Sequence, residues 1–193
     1  VYAASVDRAL IDRTDTSAGQ GCGGRGATGT VYLRLDDQSL GELTVDARGR
    51  STTPTYLPAI GSGTVDAVEV DAFTDNEAAF RWSVVGSEVA FGEERETLWG
   101  VLGHEHLGQS LTLDIGATPL AAEVGDLYRG VLRLDRLALR GEAQVVANDI
   151  VRTVSPVEIS PGSVLTTANE DPPAVDSSRI SIQHGLFGAE TVG

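Results

Sequence analysis

The chain has 193 residues with 28 acidic against 14 basic side chains, a formal net charge of −14 and 41% hydrophobic residues, which suits one domain, or one domain with long arms, around a real core. Every basic residue is arginine, and lysine and methionine are absent. The missing lysine excludes a phosphate-binding loop ending in Gly-Lys-Ser/Thr and the Schiff base of carbonyl and pyridoxal phosphate chemistry, while scattered arginines in an acidic field exclude a basic stripe for nucleic acid.

Residues 1–29 read as an N-terminal arm. "VDRALIDRTD" is a candidate short helix, and "GQGCGGRGATG", residues 19–29, holds six glycines in eleven positions. Gly19, Gly21 and Gly24 match G-x-G-x-x-G, but a dinucleotide fingerprint needs a strand before the glycines and a helix after them. Here a strand follows and nothing strand-like precedes, so the segment reads as a flexible hinge. Cys22 lies within it, and a lone cysteine allows no internal disulfide.

From residue 30 the chain alternates with period two. In "TVYLRLD", Val31, Leu33 and Leu35 face one way and Tyr32, Arg34 and Asp36 the other; "LTVDAR" and "SLTLDI" behave alike. Such alternation predicts strands wetted on one face. Eight are expected, over 30–36, 40–48, 64–73, 78–91, 109–115, 129–139, 142–154 and 178–184. The phase slips between Ala67 and Val68 and between Leu134 and Leu137, which suggests bulges, or a short helix at the second. One helix is expected over "TPLAAEVGDLYR", with Thr118 as cap, Pro119 in the first turn and Leu120, Val124, Leu127 and Tyr128 on one face. "ERETLWGVL" is a weaker helix candidate.

After residue 155 the alternation fades, and "SPVEISPGSVLTTANEDPPAVDSS" carries four prolines. Residues 155–193 therefore read as an extended C-terminal arm whose last strand returns to a core formed by 30–154. The expected fold is all-β: an antiparallel β-sandwich, in its commonest eight-stranded form a single jelly roll, with one short helix and extended terminal arms.

The chemistry candidates are few. His104 and His106 in "GHEH" have the spacing of a shared metal site, and jelly rolls include the metal-binding cupins. The cupin pattern needs a glycine six residues before the first histidine, where Leu98 stands, and a glutamate four or five after the second, where Ser110 and Leu111 stand. Two of the usual ligands are missing, and Gly103 and Gly108 place the pair in a turn. A zinc site needs three or four placed ligands. His184 shares a strand face with Ile180 and Ile182 and reads as a hydrogen-bonded residue at the core's edge. The carboxylate pairs Asp36–Asp37, Asp75–Glu77 and Glu170–Asp171 lack EF-hand spacing and read as solvated surface. No serine sits in G-x-S-x-G. Phe80, Trp82 and Val84 read as core, and Trp99 as a loop anchor or contact point. No catalytic, metal or cofactor residue is assigned, and the expected role is not enzymatic.

Charge adds a direction. So acidic a protein repels itself in dilute buffer. At about 1 M salt the Debye length falls to roughly 3 Å and the repulsion is screened. Carboxylates hold water, and lysine's apolar stem is what such a surface can omit. The balance reads as adaptation to multimolar salt.

Acidic, lysine-free, about this length and without catalytic motifs, the chain from Thr30 to Phe187 resembles, by size and pattern, the smaller major capsid protein of internal-membrane icosahedral viruses of halophilic archaea. The resemblance implies a single vertical jelly roll, assembly into capsomers through sandwich faces and arms, and a place in the virion. Its implied partners are copies of itself, a second capsid protein and an underlying lipid membrane, without direct nucleic acid. The family has no residue-level motif from which site residues transfer. Other classes consistent with the residues are a spike, decoration or tail protein, a secreted halophilic binding module, or a small metal-dependent cupin-like enzyme.

Overall fold

The computed structural model describes residues 20–21, 24–25, 28–34, 38–49, 53–80, 84, 86–92, 97–104, 108–167, 180–182 and 186–189. In chain order the strands are β1 (Gln20–Gly21), β2 (Gly24–Arg25), β3 (Thr30–Leu33), β4 (Glu42–Asp46), β5 (Thr55–Tyr56), β6 (Ser62–Thr64), β7 (Ala67–Val68), β8 (Ala72–Thr74), β9 (Glu88–Phe91) and β10 (Trp99–His104). They continue with β11 (Ser110–Asp114), β12 (Leu127–Leu134), β13 (Arg136–Arg140), β14 (Gln144–Ala147), β15 (Ile150–Thr153), β16 (Val157–Ile159), β17 (Val164–Thr167), β18 (Ile180–Ile182) and β19 (Leu186–Ala189). The chain is all-β, and its antiparallel sheets are consistent with a β-sandwich.

Two compact units divide it: one of residues 1–57, 133–147 and 151–193, the other of 58–132 and 148–150. In the second unit β7, β8, β11, β10, β9 and β12 lie side by side, with β6 also on β12, and all the pairs are antiparallel. The period-two signal is realised there: Leu111 and Leu113 of β11 are buried while Ser110, Thr112 and Asp114 are not. These leucines join Phe73, Val84, Val89, Trp99 and Tyr128 in one core cluster. Trp99 is thus core rather than a loop anchor, and Trp99–His104 is strand rather than the weaker helix candidate.

The first unit is built differently. β4, β13, β16 and β18 form a parallel ladder, closed at one end by antiparallel β3. β5, β14, β17 and β19 form a second, wholly parallel ladder. Within the unit the chain passes from one ladder to the other at β4 to β5, β13 to β14, β16 to β17 and β18 to β19, and each later pair stacks in register on an earlier one, while in chain order β6–β12 and β15 belong to the antiparallel sheet. Val45 lies beside Leu139, and Leu139 beside Ile159; in the other sheet Thr55 lies beside Val145, and Val145 beside Leu165. All six are buried, which makes two columns of side chains. On the polar side Arg136 donates to both Glu158 oxygens, at 3.0 and 2.6 Å, and stands 3.6 Å from Glu42. The bond from Arg136 holds the Glu158 carboxyl below its ordinary range, and the same bond raises the guanidinium further.

Several expectations change. Among the described residues nineteen short strands in four sheets stand in place of the eight longer ones expected, and the first unit adds parallel ladders to the antiparallel sheets. Among the described residues of 155–193, β16 (Val157–Ile159) and β17 (Val164–Thr167) are laddered strands, and β18 falls within the expected final strand. The helix over 118–129 is not formed. Gly125 has φ +96°, outside the helical region, and its N–H donates to Val65 O, while Asp126 O accepts from Val65 N. The backbone there is committed to a cross-chain pairing, and Leu127 opens β12. The slip at Ala67–Val68 marks the β7–β8 hairpin, not a bulge, with Glu69 N donating to Ala72 O. The slip at 134–137 is the break between β12 and β13, where the Asp135 carboxylate accepts from Leu40 N and Gly41 N. The register shift that does occur lies in β10, between Val101 and Gly103. Of the N-terminal segment only the short β1–β2 pair and residues 28–29 are described; the "VDRALIDRTD" helix lies outside.

Candidate functional site

The polar centre of the second unit is organised by Tyr128 on β12 and Asp75, just past β8. Tyr128 O–H donates to Asp75 Oδ2 at 2.7 Å, and both residues are buried. Asp75 Oδ1 accepts from Glu77 N at 2.8 Å and Ala78 N at 3.1 Å, an Asx turn that fixes the bend after β8. Asp66 Oδ2 accepts from Asn76 N on the same bend. Across the ladder Gly63 of β6 faces Tyr128, and a Cβ there would stand 2.8 Å from the phenol oxygen and closer still to Asp75. Only a residue without a side chain fits.

This centre floors a cavity of about 600 Å³ whose walls include Ser62, Thr64, Asp66, Asn76 and Glu77. A second cavity of about 250 Å³ shares Ser62, Gly63, Thr64 and Tyr128 and adds Arg129. Burial, then the bond to Asp75, then the charges of Asp75, Asp149 and Asp66 push the Tyr128 phenol well above its ordinary value. Tyr128 is therefore a protonated donor and not a base or nucleophile. The cleft offers hydroxyls, an amide and carboxylates, with Asp75 already saturated by its three donors.

Removing the phenol oxygen leaves Asp75 with a partner missing at a buried position. Tyr128→Phe is expected to lower stability by about 1–3 kcal/mol with the ring packing kept; thermal unfolding of the two proteins in molar salt checks it. A change too small to measure would mean that water replaces the bond without cost.

A third carboxylate stands behind β12. Asp149 is 2% exposed, and its oxygens accept from Ile60 N at 2.7 Å and Gly61 N at 2.8 Å. It packs on Gly130, where a Cβ would stand 2.6 Å from Oδ1. Burial raises this carboxyl from 3.8 to about 6, against the pull of the two N–H donors and of Arg129.

His104 is half-buried at the end of β10, beside Leu111 of β11, so it lies on a strand rather than in a turn. His106, Glu105, His184, Cys22, Trp82, Asp36–Asp37 and Glu170–Asp171 lie outside the described residues. Among the described residues no group of three or more His, Cys, Asp or Glu is placed to hold a metal ion. The Asp75–Glu77 pair is not the solvated surface expected of it, since Asp75 is buried under Tyr128. The sequence reading missed Asp75, Tyr128 and Asp149 as a polar centre. Two signals were present: Asp-Asn-Glu as an Asx-turn sequence, and Asp149 as one acid within the apolar run "VVANDIV".

Comparison with family models, with curated proteins and with solved structures found no match. The class that the fold defines is an all-β chain with one antiparallel unit and one unit of stacked parallel rungs. No helix among the described residues is long and apolar enough to cross a membrane.

Proposed function

We propose that the chain is a structural subunit that assembles with copies of itself, and that the assembly is the virion shell of a halophilic virus. The observation that carries this reading is the stacked-rung unit. Stacked rungs make extended surfaces on which a neighbour can pack. The two ladders end on β3 and β5, and these edge strands carry Tyr32 and Tyr56, 47% and 66% exposed. Exposed edge strands bearing aromatic residues are surfaces that a further copy of the chain would cover.

The acidic, lysine-free composition supports assembly in concentrated salt, where the charge of −14 no longer drives copies apart. The polar centre gives no support to catalysis, because Tyr128 is held protonated and Asp75 is bonded on both oxygens. The partners proposed are further copies, a second capsid protein and an underlying lipid membrane, with no direct contact to nucleic acid. Density-gradient fractionation of virus-producing halophilic cultures at roughly 3 M salt tests the reading, the salt level following from screening. The chain is expected in one band with lipid and a second abundant protein. Recovery with free soluble protein alone would overturn it.

A further inference from the structure

The walls of the larger cavity carry polar side chains that the fold does not use. β6 pairs with β12 and β7 with β8, so residues 62–68 close the antiparallel sheet on itself, and the cavity lies along that closure. Bonds within the protein fix both walls. On one side β6 is held to β12, with Gly63 across from Tyr128. On the other, Asn76 N donates to Asp66 Oδ2 and Asn76 O accepts from Gln109 Nε2, both at 2.7 Å, while Asp75 Oδ1 holds the N–H groups of Glu77 and Ala78. The backbone of this bend is engaged, yet among the described residues the side chains of Ser62, Thr64, Asn76 and Glu77 bond to no other group, and all four residues are exposed. Walls that are rigid before a ligand arrives lose little freedom on binding.

The groups on offer select the ligand. Hydroxyls and the asparagine amide both donate and accept, whereas the carboxylates of Asp66 and Glu77 only accept. None of the residues lining the cavity is arginine or histidine, so an anion meets like charge alone. Among the described residues no three acidic or imidazole groups converge as a metal ion requires. An organic cation gains most from an open aromatic face, and Tyr128 is only 3% exposed. A neutral polyhydroxyl ligand matches the mixture: neighbouring hydroxyls donate to a carboxylate and accept from the amide and from Ser62 and Thr64. The volume of about 600 Å³ falls within the range of roughly 300–1,000 Å³ usual for small-molecule clefts.

We propose that this cleft is a saccharide-binding site, with Asn76 and Glu77 on the bend and Ser62 and Thr64 on β6 as the groups that hold a neutral sugar. The Tyr128–Asp75 pair positions the bend and does not touch the ligand. The site goes beyond the role in assembly and does not depend on it.

Saturation-transfer NMR, which reads the signals of the sugar and works on a single chain or on a large assembly, tests the site with trehalose, maltose, cellobiose and lactose as probes. Saturable transfer to at least one of them is expected, with a Kd on the order of 1 mM. A neutral ligand feels no screening, so the affinity should be equal at about 1 M and about 3 M salt. Asn76→Ala and Glu77→Ala should each weaken it about tenfold. Both should unfold thermally with the parent, because alanine keeps the backbone bonds at these positions. Glu123→Gln, at an exposed acid outside the cavity, should change nothing. No saturable transfer to any of the four sugars, transfer that both wall variants leave unchanged, or binding of putrescine in place of sugar that fades with salt would each overturn the site.

Discussion

Phe73→Ala is expected to cost about 3–5 kcal/mol and to leave the second unit close to unfolding. Phe73 is fully buried, and its ring meets three others: Phe91 at 5.1 Å and Phe80 at 6.0 Å, both edge-to-face, and Tyr128 at 4.8 Å, tilted. Alanine removes the ring at the centre of this set and opens a cavity in the core cluster, which relaxes only in part. The aromatic contacts add to the loss beyond the area buried. Trp99 belongs to the same cluster, so its fluorescence reports the transition under urea. Phe73→Leu keeps most of the volume and should lose well under half as much. A loss below about 1 kcal/mol for the alanine variant would mean that the ring set is not the core of this unit.

Gly130→Ala is the second large effect. In β12 the Cβ would stand 2.6 Å from Oδ1 of Asp149, and that carboxylate is not free to retreat because Ile60 N and Gly61 N hold it. Either the strand shifts or the two bonds break at a buried site, and the cost is expected to be about 3 kcal/mol. Gly100→Ala, also in a strand of this unit, is the control. Its Cβ would meet only the Asp114 side chain, at an ordinary 3.8 Å. That change should fall within about 0.5 kcal/mol of the parent. Equal effects at the two positions, measured by thermal unfolding, would show that chain entropy and not the Asp149 contact sets the cost of Gly130→Ala.

The strands were legible because burial on one face writes itself into alternate residues. Leu43 and Val45 of β4, and Leu111 and Leu113 of β11, fall on the buried side as their spacing requires. What alternation does not carry is the partner. Val45 sits beside Leu139, far along the chain, and a strand of five residues has the same pattern whether its neighbour runs with it or against it. The stacked rungs therefore left no mark at the level of single strands, and the prolines of 155–178 concealed β16 and β17 by suggesting irregular chain.

The false helix at 118–129 shows a complementary failure. Pro119 and the apolar spacing satisfy a local rule, but the pairing of Gly125 and Asp126 with Val65 takes the backbone bonds that a helix would need. The polar centre was illegible for the same reason as the ladders. Asp75 and Tyr128 are far apart in the chain, and each looks ordinary alone: an acid in an acidic protein, and a tyrosine on an apolar face.

The proposed role requires this chain to assemble with copies of itself. Native mass by light scattering, on the full chain at roughly 3 M salt, tests it most directly because screening then removes the repulsion that would hide association. A species on the order of a megadalton is expected, as a closed shell or a large fragment of one requires. A monodisperse particle at the chain mass of 20.2 kDa would contradict it.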